Sequence, residues 1–142
     1  MEIDPYDAPA GSFLAAVGLH LEPAGSDVAT AGMTGWIDVD ERHHTPWGVV
    51  HGGVWATVVE SAASIAASTV VADRGEFAVG VTNTTDFIRA TRAGRAHVRV
   101  RPRHVGRTLQ QWDVDITRED GALIAQGRLR LANQPLPSAD RS

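Results

Sequence analysis

The residues best suited to chemistry lie in one stretch, His51-Gly52-Gly53 followed by Glu60. Between Arg42 and Asp73, Glu60 is the only residue with a formal charge at neutral pH, histidines aside. Its surroundings from Val54 to Ala72 are Val, Ala, Ile, Trp, Ser and Thr. A carboxylate in so apolar a segment needs something to solvate it, which makes it the first candidate for a base or nucleophile. The two glycines let a ligand approach the main chain without a Cβ in the way. If they open a helix, its unpaired N–H groups and positive dipole end make an oxyanion hole for a polarised carbonyl.

The polar residues after the glycines are not scattered. Thr57, Glu60, Ser61, Ser64 and Ser68 fall at i, i+3, i+4, i+7 and i+11, one stripe on a helix. Ser64, one turn beyond Glu60, is placed to hold a water or substrate atom. Burial can shift a carboxyl by up to roughly 3–5 pKa units. The helix dipole is worth about 0.3–1 kcal/mol and fades after the first turn. In a dry site desolvation therefore wins, which suits a general base near neutrality. Plainer readings stand beside these. Gly-Gly before a helix is often only a turn, and a lone buried Glu is as well explained by an Arg partner from elsewhere. Ser61 and Ser68 fit as packing residues bonded to the i−4 carbonyl.

These residues must be positioned by the rest of the chain. The spacing predicts a buried helix from Gly52 to about Ala72, closed by Asp73-Arg74-Gly75, with Ala56, Ala62, Ala63, Ala66 and Ala67 allowing close approach of a sheet. Before it come a short helix Phe13–Val17 between Ser12 and Gly18, a short strand Leu19–Glu22, and a strand Ala29–Val39. After it come strands Phe77–Ile88, Gly94–His104, Gln111–Glu119 and Ala122–Ala132. The Gly94–His104 run alternates strictly, with Ala96, Val98 and Val100 inward and Arg95, His97, Arg99, Arg101 and Arg103 outward. The turns Val105-Gly106-Arg107 and Glu119-Asp120-Gly121 suit antiparallel hairpins. The economical α+β fold is a curved antiparallel sheet of five to six strands around one central helix. Exposed edges then imply a homodimer or a higher oligomer.

Length fits one domain over 1–142, with 1–11 and 133–142 as loose termini. No apolar run approaches the roughly 18 residues of a membrane span, and the acidic Met1-Glu2-Ile3-Asp4 start does not resemble a signal peptide. There are no cysteines, which fits a reducing cytoplasm and removes thiolate chemistry. The histidines are too few and irregular for a metal site. Net charge is −4, and every basic residue is Arg. Seven arginines fall between Arg89 and Arg107 with no Asp or Glu among them. That pattern is poor for general nucleic-acid binding but suits a phosphorylated small molecule. Arg99 and Arg101 fit cross-strand ion pairs with Asp113 and Asp115. Arg89, Arg92, Arg103, His104 and Arg107, without acidic neighbours in sequence, are better phosphate contacts.

Thr45-Pro46-Trp47-Gly48-Val49-Val50-His51-Gly52-Gly53, with Glu60 nine residues after His51, resembles the signature of hotdog-fold acyl-CoA thioesterases of the phenylacetate-pathway (PaaI-like) and 4-hydroxybenzoyl-CoA type. Asp86-Phe87-Ile88-Arg89-Ala90, Gly94 and His104-Val105-Gly106-Arg107 follow in the order of that family's later landmarks. The resemblance covers residues 13 to 132. It implies that the Gly52 N–H polarises the thioester carbonyl, that Glu60 attacks it or activates water, that Ser64 helps hold the water, and that His51 shapes the loop. It also implies homodimers assembling to homotetramers, sites at subunit interfaces, basic residues on the CoA phosphates, and no cofactor beyond the CoA of the substrate. One position departs from the family: Thr45 stands where Asn or Gln is usual. The expected activity is hydrolysis of an acyl- or aryl-CoA thioester by a cytoplasmic enzyme that binds neither nucleic acid nor membrane. The alternatives are a hotdog dehydratase or hydratase using His44 with Glu60, and a silent acyl-CoA binding module.

Overall fold

A computed structural model describes residues 12–137. Six antiparallel strands form one sheet in the order β1-β2-β4-β5-β6-β3. They are β1 (His20–Pro23), β2 (Met33–Val39), β3 (Glu76–Phe87), β4 (Gly94–Val105), β5 (Leu109–Thr117) and β6 (Leu123–Pro135). The long helix α3 (Gly52–Val71) packs on the concave face, chiefly against β3, β6 and β5.

The alternation in β4 is realised for its apolar face: Ala96, Val98 and Val100 are buried, while Arg95, His97, Arg101 and Arg103 are exposed and Arg99 is half-buried. In β5, Trp112, Val114 and Ile116 are fully buried, and in β6 Leu129 and Leu131 are. Ala62, Ala63, Ala66 and Ala67 of α3 are fully buried too, which brings helix and sheet together. The approach is closest at Gly127, where a Cβ would lie 2.7 Å from a Val59 methyl. By length and a mean hydropathy of 1.5 over its most apolar window, the Gly52–Arg74 helix would pass as a membrane span, contrary to the sequence reading. Here Trp55, Val58, Val59, Ala62, Ala63, Ala66, Ala67 and Val71 of it are buried within the chain.

Three differences from the sequence reading have physical causes. Residues Val28–Ala31 form a one-turn helix, α2, because the Asp27 carboxylate caps the Ala29 N–H, so β2 begins only at Met33. Residues 133–135 are not loose: they extend β6 along β3, and Asn133 is buried. The assignments for residues 1–11 and 138–142 lie outside the described residues. Among the described residues Arg99 forms no ion pair with an Asp; its guanidinium donates to the carbonyls of Ala31, Met33 and Val100. It thereby caps α2, and burial lowers its pKa from the ordinary value, with the Arg101 charge adding to the effect.

Strand β3 is an edge strand and contains a bulge between Gly80 and Thr82. Before the bulge, Ala78 and Gly80 oppose the inward Asn133 and Leu131; after it, Asn83, Thr85 and Phe87 oppose the inward Leu129, Gly127 and Ala125. One extra residue thus changes which half of the strand faces the helix.

Candidate active site

The helix start is built from the loop that precedes it. Thr45-Pro46-Trp47-Gly48 is a tight turn: the Thr45 N–H donates to Val49 O, the Gly48 N–H to Thr45 O, and the Trp47 N–H to the Thr45 hydroxyl at 3.2 Å. Thr45 therefore spends its side chain on its own turn. His43 is buried, its Nε2 3.0 Å from Val17 O, and its carbonyl accepts from the His51 N–H. His44 pairs with the Arg92 carbonyl. Arg92 in turn donates to Gly48 O at 3.3 Å.

His51 is the N-cap of α3, with its Nδ1 accepting from the Gly53 N–H at 2.8 Å. In the neutral ring the proton is then on Nε2. The Val54 N–H donates to His51 O. Among the described residues, the Gly52 N–H has no hydrogen-bond acceptor. The two glycines thus differ: Gly53 is tied into the cap and Gly52 offers a free donor at the positive end of the helix. The Phe87 ring, exposed on its other side, lies against Gly52.

Glu60 stands on the exposed side of α3, not in a dry site, so the desolvation anticipated for it is not supplied by one chain. Among the described residues it forms no ion pair, which removes the Arg-partnered reading within the chain. Its neighbour is Asn83, whose Nδ2 lies 3.5 Å from Oε1 and donates to Ala56 O at 3.0 Å. Asn83 Oδ1 accepts from the Thr85 hydroxyl at 2.6 Å. Ser64, half-buried one turn further on, makes no side-chain hydrogen bond among the described residues. Ser68 does not bond to its i−4 carbonyl but accepts from the Ala78 N–H of β3 at 3.0 Å; the back-bonded residues are Thr57 and Thr69.

Sequence reasoning missed Asn83, Thr85 and Phe87. Their placement depends on the β3 bulge, and polar alternation alone does not reveal a one-residue insertion in a strand.

The basic candidates divide between the two ends of α3. Arg92 sits by the helix start, and Arg89 donates to Leu123 O at 2.7 Å. His104 and Arg107 flank the β4–β5 turn, which is tied through Asn133 and Gln110 to Ala67 near the helix end. From Gly52 to Ala67 is about 22 Å at the helical rise. Arg103 is not free, since it pairs with Asp113 at 3.2 Å, and Arg128 takes the other oxygen of that carboxylate at 2.9 Å. Arg101 pairs with Asp115, two residues along β5 from the directly opposed Asp113. The exposed Arg107 guanidinium has no hydrogen-bond partner among the described residues.

A curved antiparallel sheet closed over one apolar helix, with an open main-chain donor where that helix begins and a carboxylate two turns along it, defines a hotdog-fold thioester hydrolase. The chain belongs to the thioesterase superfamily, whose family model matches residues 48–125. It is 30% identical over 122 residues to the 1,4-dihydroxy-2-naphthoyl-CoA hydrolase of Escherichia coli K12, covering 86% of each chain. Among solved structures, AziG of S. sahachiroi superposes with a TM-score of 0.80 at 36% identity, over 90% of this chain and 100% of that one. The thioesterase HI1161 of Haemophilus influenzae gives a TM-score of 0.81 at 28% identity, over 93% and 89%.

Proposed function

We propose that the protein hydrolyses acyl- or aryl-CoA thioesters at composite sites between two copies of the chain. The observation that carries this reading is a distance. Gly52 and Glu60 are eight residues apart on one helix, about 12 Å at the helical rise, too far to act on one carbonyl. A second copy related by a two-fold axis brings the Gly52 N–H of one chain to the Glu60 of the other. The edge strand β3, with Val81 61% exposed, is the surface that such pairing would cover. Closure of that interface would also remove water from Glu60. The homotetramer, a pair of such dimers, and a cytoplasmic location belong to the same proposal.

The reaction then runs as follows. The Gly52 N–H donates to the thioester oxygen, and the helix dipole favours the charge that develops there. Glu60 takes a proton from a water held against Ser64 as that water's oxygen bonds to the carbonyl carbon. The tetrahedral oxyanion collapses, the C–S bond breaks, and the proton on Glu60 passes to the departing CoA thiolate. The products are a carboxylic acid and CoA thiol, with no further cofactor. His51 and Gly53 hold the cap, and Thr45 sets the preceding turn. Arg107 and His104 of one copy, with Arg89 and Arg92 of the other, surround the CoA phosphates, while Arg103 contributes through Asp113. A hydratase pairing of His44 with Glu60 is disfavoured, because the His44 ring is committed to the Arg92 carbonyl.

Thiol release from a panel of acyl- and aryl-CoAs tests the reading. Glu60→Gln is expected to lose about 10²–10⁴ in kcat. No release on any substrate by the wild type would sink it. Single turnover in H₂¹⁸O is expected to leave Glu60 unlabelled; label in Glu60 would make it the nucleophile instead.

A further inference from the structure

The bulge in β3 places a second polar row under the active carboxylate. Without it, Thr82, Thr84 and Asp86 would continue the inward phase set by Ala78 and Gly80; with it, Asn83 and Thr85 face the helix. The orientation of the Asn83 amide is fixed by its surroundings. The Thr85 hydroxyl donates to Oδ1, and Nδ2 then points at the Ala56 carbonyl and Glu60 Oε1. The reverse orientation would set the amide oxygen against two other oxygens, so it is rejected electrostatically.

Glu60 has little else to hold it. The Cδ of its carboxyl and the Leu129 methyls are what a Cβ on Gly80 would meet, and Ser64 is the next polar group along the helix. Among the described residues no Arg or His pairs with it from the helix, β3 or β6. The 3.5 Å contact from Asn83 is long, as such contacts often are before a substrate closes the site.

We propose that Asn83, locked by Thr85, is the positioning residue for Glu60: it anchors Oε1 and leaves Oε2 turned to the reacting water. This rests on the reading of Glu60 as general base. Thr85 acts only through Asn83, and neither residue touches the substrate.

The test compares wild type, Asn83→Ala and Thr85→Val for kcat and KM of thiol release. Folding is checked by circular dichroism. Asn83→Ala is expected to lower kcat about 10- to 100-fold with KM unchanged. Thr85→Val, which keeps the amide but frees it to turn, should lower kcat by less, again with KM unchanged. A KM that rises along with the loss of kcat would mean a merely structural role and overturn the proposal. So would wild-type values in both variants. If Asn83→Ala does not fold, Thr85→Val decides by the same criteria. A second measurement separates this proposal from the reading of the reaction and needs no turnover: the ¹H–¹⁵N signals of the Asn83 side-chain amide, compared between wild type, Glu60→Gln and Thr85→Val. Both substitutions are expected to displace them, and coincident signals overturn the role of Asn83 even in an active enzyme. Displaced signals in a protein whose wild type releases no thiol would leave the hydrogen bond standing and remove the base.

Discussion

The Phe87 ring lies so close to Gly52 that a Cβ at position 52 would stand 3.1 Å from Cζ and 3.2 to 3.3 Å from the ring's Cε atoms. The glycine thus leaves room for the exposed Phe87 ring, which a Cβ would push back by a few tenths of an ångström, as well as presenting the donor. The two roles can be separated. Gly52→Ala and Gly52→Pro place the same Cβ against Phe87, but only proline removes the N–H. Proline is tolerated at the first position of a helix, and His51 at φ −64, ψ 133 already has the conformation that precedes proline. The expected outcome is that Gly52→Pro falls about 10²–10³-fold further in kcat than Gly52→Ala. Equal losses would mean that the ring, not the N–H, accounts for the glycine.

The proposed composite site predicts complementation. Gly52→Pro and Glu60→Gln are each inactive as homodimers, whereas a mixed dimer holds one site with both wild-type groups. Unfolded together, refolded and assayed, an equal mixture should recover about a quarter of wild-type turnover, since half the dimers are mixed and each carries one good site. A site contained within one chain gives no recovery at any ratio. Recovery as active as wild type would point to exchange or contamination rather than to a shared site.

Among the basic residues, the structure ranks Arg107 above Arg103 for phosphate. Arg107 has no partner among the described residues, and Arg103 is held by Asp113. Arg107→Glu is expected to raise KM for CoA thioesters more than it lowers kcat, and to do so less at high salt. Arg103→Glu should act chiefly on stability, through repulsion of Asp113 on the next strand. A KM indifferent to Arg107→Glu would remove that residue from the CoA site.

Much of this arrangement is legible in the sequence because periodicity is a geometric signal. The strict alternation that starts at Gly94 places Ala96, Val98 and Val100 of β4 in the core correctly, since each needs only the local pleat. The alanines and the polar stripe of α3 likewise give its buried face and put Glu60 and Ser64 one turn apart. What escapes is what depends on another element. Arg99 reads as an outward partner for Asp113 or Asp115 because nothing in its own strand shows the α2 carbonyl it caps. Asn83 and Phe87 reach the site only through the bulge. The exposure of Glu60 is a property of one copy, and no periodicity reports how a second copy would cover it.

Gln110 is a buried polar residue that composition and spacing do not single out; it falls near the start of β5, in phase with Trp112, Val114 and Ile116. It is fully buried and fully engaged: Nε2 donates to Ala67 O at 3.1 Å and to Asn133 Oδ1 at 2.8 Å, and Oε1 accepts from Trp112 Nε1 at 2.8 Å. Asn133 passes the connection on to the carbonyls of Gly106 and Arg107 at 3.2 and 3.1 Å. Gln110→Leu keeps the volume but strands the indole N–H and the Asn133 oxygen, while the Ala67 carbonyl keeps only its helical bond. Each buried group left unpaired costs about 1–3 kcal/mol, so the loss should exceed that of an ordinary core substitution. Urea unfolding is expected to show a lower midpoint with an unchanged m-value. Because Asn133 holds the turn that carries Arg107, KM for CoA thioesters should rise in the same variant while the residual kcat, set at Glu60, changes little. A variant that loses kcat in proportion to stability would show that the network supports the helix alone and not the turn.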